Sequence, residues 1–272
     1  MDRTRADRCP GVFRPWPADD GALVRLRTPG GRLTRDRLGG LLAAAREYGD
    51  GRVHLTRRAN LQLRGLPGGE ELPDEVVAAI RATGLLPHPG HELVRNILAS
   101  PLTGLSGGRV DLGPVVAALD DGLCADPALA HLPGRFLFVL DDGRGDLVDR
   151  PLDLGLVAVS DVEVQLRLGT ATWGPVVPLA EAVDELLTAA RDFLAARGTG
   201  PDAPWHVDEL TDPPVGQARD ERTRVSAGPP PFGRVADGVR HLAVPDGVLE
   251  TADGLPERLV VTPWKSLIAV DR

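Results

Sequence analysis

Between residues 22 and 84 the apolar positions change their period, and each change predicts an element. Val24 and Leu26 alternate with Arg25 and Arg27, the two-residue rhythm of a strand with unlike faces. Pro29-Gly30-Gly31 punctuates it as a turn. Leu38, Leu41, Leu42 and Ala45 then recur at helical spacing, with Thr34 placed as N-cap and Gly49 as the stop. A second strand begins near Val53 and leads into residues 55–65, where Leu61 and Leu63 fall on one face. Arg58, Asn60, Gln62 and Arg64 fall on the other. A second helix follows Pro73, with Asp74 and Glu75 in its first turn and Val76, Val77 and Ile80 on its apolar side. The pattern is β-α-β-α, a small α+β unit at 21–84.

Beyond it the pattern predicts a mixed α/β unit at 85–197. Asp111 caps a helix carrying Leu112, Val115, Val116, Leu119 and Leu123, and residues 133–140 read as a strongly buried strand entered through Arg135. Val162, Val164, Leu166 and Leu168 alternate with polar residues, a strand expected to pair with residues 154–159. Leu179, Val183, Leu186, Leu187, Ala190 and Phe193 mark a helix. Residues 1–20 read as an extended arm and 198–236, rich in Pro, Gly and charge, as a linker. Past the linker the sequence repeats itself. Residues 242–250 line up with 26–34, and 259–267 with 53–61, with a shorter gap where the first copy has its helix. Residues 237–272 are therefore expected to be a degenerate second copy of the first unit.

Composition narrows the function. With 42% hydrophobic residues the 272-residue chain can build real cores, and a formal charge of −8 argues against a nucleic-acid or anionic-membrane binder. No long apolar run or signal core occurs, so a soluble cytoplasmic protein is expected. The six histidines have no metal-ligand spacing, and two cysteines, Cys9 and Cys124, cannot ligate a metal cluster unaided. No metal ligand is therefore assigned.

The polar face at Arg58, Asn60, Gln62 and Arg64 offers two guanidiniums and two carboxamides without an acid. Such a face donates many hydrogen bonds in fixed geometry and suits carboxylates, phosphates or small oxyanions; the alternative is a solvated basic strand. If the two strands pair, Arg25 or Arg27 joins it. Arg95 and Asn96 interrupt an apolar run at residues 94–104 and read either as site residues or as a buried arginine paired to a carboxylate.

Three blocks carry a family resemblance. Arg25 to Gly31, the run from Leu55 to Gly65, and the run from Val94 to Pro101 resemble successive blocks of the nitrite/sulfite reductase family. Thr262-Pro263-Trp264-Lys265-Ser266 resembles its second ferredoxin-like half-domain, and the variant spellings most resemble the precorrin-3B synthase branch of cobalamin biosynthesis. The resemblance implies an α+β fold: a ferredoxin-like half-domain, a mixed α/β domain and a degenerate second half-domain. It implies an oxidoreductase with a basic cleft for a carboxylate-rich tetrapyrrole, either a precorrin substrate or siroheme. It also implies a [4Fe-4S] cluster. By motif position Arg25, Arg27, Arg58, Asn60, Gln62, Arg64 and Asn96 carry over as cofactor-binding residues, and Arg95 and Arg135 as catalytic ones. Arg135 matches a family lysine, while a second lysine two positions later is Leu137 here, which counts against a six-electron reductase. The family's four cluster cysteines have no counterpart, so this chain alone is expected to be inactive in redox chemistry. It is expected either to be completed by a separate cysteine-bearing domain or subunit, or to be a non-catalytic tetrapyrrole- or partner-binding module.

Overall fold

The computed structural model describes residues 9–200 and 202–271, in two compact units: 9–93 with 230–271, and 94–229. In chain order the strands and helices are β1 (Trp16–Ala18), β2 (Gly21–Leu26), β3 (Arg32–Thr34), α1 (Arg35–Tyr48), β4 (Val53–Leu55), β5 (Leu61–Leu66) and α2 (Asp74–Ala82). Then come β6 (Ile97–Ala99), α3 (Gly113–Ala125), β7 (Phe138–Asp141), β8 (Leu154–Ala158), β9 (Glu163–Arg167), β10 (Trp173–Pro178) and α4 (Ala182–Arg197). The chain closes with β11 (Gly233–Ala236), β12 (Val239–Leu242), β13 (Val248–Leu249), β14 (Arg258–Val261) and β15 (Leu267–Val270).

The first unit contains two five-stranded sheets, ordered β1-β2-β5-β4-β13 and β11-β12-β15-β14-β3. Each sheet borrows one strand from the other copy. β3 pairs with β14 through Leu33 and Leu259, and β13 pairs with β4 through Leu249 and Val53. Pro29-Gly30-Gly31 makes the crossing possible in the first copy. Gly30 and Gly31 sit at φ 62° and 71°, and a Cβ on Gly31 would stand 2.2 Å from the Val261 carbonyl oxygen. The matching turn at Pro245–Gly247 holds Asp246 and Gly247 at φ 55° and 71°.

The first-copy core follows from its periodicities. Val24 and Leu26 pair with Leu63 and Leu61 on one sheet face, while α1 buries Leu38, Leu41, Leu42 and Ala45. Each buried leucine contributes about 1.5–3 kcal/mol. Thr34 caps α1 by accepting the Arg37 N–H at 3.2 Å, and α2 buries Val76 and Ile80. The expected β-α-β-α pattern missed one reversal. Residues 53–66 are a hairpin, β4 antiparallel to β5, and the two-residue alternation holds only from Leu61 onward. Residues 9–18, expected as part of an extended arm, pack into this unit: Val12 is 1% exposed, and Trp16 pairs with Leu23. Residues 1–8 of that arm lie outside the described residues.

The second unit has one sheet, β10-β9-β8-β7-β6. β6, β7 and β8 are parallel and buried throughout, as continuous apolar strands require, and β9 and β10 are antiparallel. α3 and α4 pack on each other, and Phe136 meets Phe193 of α4 at 5.0 Å between ring centroids. The stretch expected as a linker is bound to this unit as far as Pro229. Val207 N–H donates to Asp153 at 3.2 Å, Gln217 N–H to the Trp173 carbonyl at 2.7 Å, and Ala227 N–H to the Gly145 carbonyl at 2.9 Å. A Pro-rich segment cannot form a regular ladder, so its backbone is satisfied one bond at a time. No helix among the described residues is long and apolar enough to cross a membrane.

Candidate functional site

The site is built on the β4-β5 hairpin and the end of β2. Thr56 shapes the hairpin loop: its N–H donates to the Asn60 carbonyl, and its hydroxyl accepts from the N–H of Arg58 at 3.3 Å and of Asn60 at 3.0 Å. Ala59 sits at φ 55°, a left-handed position taken here without glycine. Thr28 then ties the loop to β2. Its N–H donates to Asn60 Oδ1 at 3.0 Å, and its hydroxyl donates to the Ala59 carbonyl at 2.6 Å. Asn60, 1% exposed, is thereby a positioning residue for the loop that carries Arg58.

Across the sheet, Arg25, Gln62, His54 and Val248 stand in one cross-strand row. The Arg25 guanidinium finds no hydrogen-bond acceptor among the described residues, and its Nε is shielded from solvent. Burial lowers the Arg25 pKa, partly countered by Cys9. Arg27, 3% exposed, donates to the carbonyls of Pro10 at 2.6 Å and Arg25 at 2.8 Å. Burial pulls its pKa down to about 10, and repulsion from Arg25 and Arg58 acts in the same sense, against Cys9 and Glu92. Three guanidiniums thus share a region that also holds the Glu92 carboxylate. That carboxylate accepts the N–H groups of Val12 at 2.6 Å and Phe13 at 3.0 Å. Burial raises its pKa in spite of those bonds and of Arg27.

Two expected site residues are already neutralised. Arg64, on the same strand as Gln62, forms a two-pronged pair with Asp20 at 2.9 and 3.2 Å. Arg95 belongs to the other unit and makes a two-pronged pair with Asp120 at 2.7 and 2.5 Å. Burial lowers its pKa, but the Asp120 bonds outweigh it and the net shift is upward. The Cys124 thiol beside this pair is pushed up to about 11, chiefly by burial. Asn96 donates to the Gly134 carbonyl at 3.0 Å and is 2% exposed, holding the entry to β6. Arg135 is exposed and stacks 4.9 Å from the Trp205 ring. The structure therefore gathers Arg25, Arg27, Arg58, Asn60 and Gln62 in one unit. Glu92, which organises the 9–14 segment beside them, carries no signal in the sequence pattern.

The arrangement suits the carboxylates of an anionic ligand, because the Arg25 guanidinium has no acceptor among the described residues. An iron–sulfur cluster does not fit the residues present: four thiolates are needed, and the two cysteines fall in different units. Among the described residues no group of three or more His, Cys, Asp or Glu is placed to hold a metal ion.

Comparison with known proteins agrees with this architecture. Residues 17–79 match the model of the nitrite/sulfite reductase ferredoxin-like half domain. A ferredoxin–nitrite reductase from Synechococcus elongatus is 34% identical over 156 residues, covering 54% of this chain and 30% of the relative. A precorrin-3B synthase from Sinorhizobium sp is 31% identical over 166 residues, covering 58% and 34%. The chain spans about a third of the length of these relatives. The solved structure of the Mycobacterium tuberculosis NirA protein shares the fold, with a TM-score of 0.67 at 18% identity over 97% of this chain and 59% of that one. Residues 17–79 thus belong to the nitrite/sulfite reductase ferredoxin-like half-domain family, and the chain as a whole shares the mixed α+β fold of NirA.

Proposed function

We propose that the Arg25–Arg27–Arg58 face binds the carboxylates of a tetrapyrrole, and that the chain serves a precorrin-3B synthase-type oxidoreductase of cobalamin biosynthesis. The observation that carries the binding step is the Arg25 guanidinium, which has no acceptor among the described residues while the neighbouring Arg27 feels like charge from both Arg25 and Arg58. A buried guanidinium without a partner is costly, and a ligand carboxylate supplies what the protein does not. In this reading Arg25 and Arg58 grip carboxylates, Gln62 adds a carboxamide donor beside them, and Asn60 fixes the loop. The resemblance to a precorrin-3B synthase supports the reaction class, and so does Leu137, which is 7% exposed where a six-electron reductase carries a lysine. A cysteine-bearing domain or subunit would supply the electron-transfer cluster.

One observation favours a second reading, a binding module without redox chemistry of its own. Arg95, one of the two expected catalytic residues, is locked to Asp120. Titration with uroporphyrin, followed by its absorbance, tests the shared binding step. Arg25→Ala and Arg58→Ala are expected to weaken binding about 2- to 10-fold each, the range of partly screened arginine–carboxylate pairs. Arg197→Ala, which removes a guanidinium bonded to the Pro204 carbonyl in the other unit, should leave binding unchanged. Equal losses in all three would reduce the site to general charge attraction.

A further inference from the structure

The second unit holds an apolar pocket that no part of the proposed tetrapyrrole chemistry uses. Its floor is Leu154 at the start of β8 and Leu168 just past β9, and one wall is the α4 face at Ala189, Phe193 and Ala196. Val207, Leu210 and a Pro213-Pro214-Val215 strap form the opposite wall, enclosing about 370 Å³. That volume lies within the range of small-molecule sites.

Two features identify the occupant. Val215, on the strap, is 90% exposed, far more than a valine at the lip of a closed apolar cluster needs to be. The only charged side chains lining the pocket are Asp192 and Asp212, and neither forms an ion pair or hydrogen bond among the described residues. Several acids elsewhere in the chain are paired with an arginine, among them the exposed Asp20 and Asp271 and the half-buried Asp126, Asp220 and Glu163. Residues 94–229 also contain no lysine, and their acids outnumber their arginines by nearly two to one. The local field therefore favours a cation at the rim.

We propose that this pocket binds an amphiphilic organic cation, its hydrocarbon part against Leu154, Leu168 and Phe193 and its ammonium group between solvent and the carboxylates of Asp192 and Asp212. The hydrocarbon supplies affinity by leaving water, and the two carboxylates supply the preference of cation over anion. Binding also covers the Val215 side chain.

The test uses the full chain with valine methyls labelled for NMR and titrates n-octylammonium, n-octanoate and octanol in turn. Octylammonium is expected to shift the Val207 and Val215 methyls saturably, at a concentration at least about tenfold below octanoate, a difference of about 1.4 kcal/mol. Asp192→Asn with Asp212→Asn should erase that preference while octanol still binds. Ala196→Trp, at an exposed helix position where a larger side chain does not disturb the core, should block all three. Equal affinity for the cation and the anion, or no saturable shift with any of the three, overturns the proposal. So would shifts that survive Ala196→Trp, which would place the ligand elsewhere.

Discussion

The two half-domain copies share a backbone and differ in what they display. In the first, Thr56 accepts the N–H groups of Arg58 and Asn60; in the second, Thr262 accepts those of Trp264 and Ser266. Ala59 at φ 55° and Lys265 at φ 59° occupy the same left-handed position. The cross-strand row Arg25, Gln62, His54, Val248 has the counterpart His241, Ile268, Val260, Arg32. Where the first copy places an arginine without an acceptor among the described residues, the second places a satisfied histidine. His241, 1% exposed, is bonded to Ser266 at 2.6 Å and to the Pro230 carbonyl at 2.8 Å, with Phe232 stacked on its ring at 4.5 Å. The second copy has closed its polar row into packing, and the first has kept it open. Retaining uncompensated charge on one copy is how a duplicated scaffold would concentrate ligand binding in one half.

The copies should differ most at their strand-exchange turns. Gly31→Ala and Gly247→Ala both force a side chain into φ 71°. The first also drives a Cβ against the Val261 carbonyl oxygen at 2.2 Å, which backbone pairing holds in place, whereas the second meets the Lys265 side chain from 2.8 Å. Denaturant unfolding is expected to show a loss of about 2–4 kcal/mol for Gly31→Ala and about 1–2 kcal/mol for Gly247→Ala. Equal losses would mean that the two exchanges are not constrained differently.

The next effect concerns the paired positions themselves. His241→Ala removes a buried ring and two hydrogen bonds, so it should cost about 2–3 kcal/mol of stability. Arg25→Ala removes a group with no acceptor among the described residues and should stay within about 0.5 kcal/mol of the parent while weakening uroporphyrin binding. A large stability loss at Arg25 would show that the guanidinium serves the fold, and the contrast between open and closed rows would collapse.

Much of this was legible in the sequence because it is local. The Thr34 cap, the leucine spacing of α1, the turn glycines and the blocks of the repeat each depend on neighbours a few residues apart. The hairpin reversal at residues 56–60 was not, because its left-handed residue is an alanine and the loop lacks the usual Asn-Gly or Gly signal. Nor was the strand exchange, in which a short strand pairs outside its own copy and no periodicity names the partner. The site divides in the same way. Alternation placed Gln62 and Arg64 on one face, and the paired-arginine alternative for Arg95 was legible, but the partners were not: Asp20 reaches Arg64 across 44 residues and Asp120 reaches Arg95 across 25.

The smallest effect separates the two segments that enter the edge strands. Each copy fixes that entry through a proline carbonyl, Pro10 to Arg27 in the first and Pro230 to His241 in the second. The first adds Glu92, buried under Val12 and Phe13, whose pKa is raised chiefly by burial. A carboxyl with a raised folded pKa holds its proton in the native state after the unfolded chain has released it. Glu92 thus contributes most stability below the ordinary glutamate range and loses that contribution as pH rises through its folded pKa. Asp146, pushed up to about 7 mainly by burial, acts in the same direction, so the parent protein should lose stability from mildly acid to neutral pH. Glu92→Gln keeps an acceptor for the clamped backbone and removes the titration, so its stability profile should be flatter than the parent's over that window. The steepness contributed by Asp146 should remain, and Asp146→Asn should remove that part alone. A Glu92→Gln profile parallel to the parent's would show that the carboxyl does not titrate there, leaving the two entry segments alike in their response to pH.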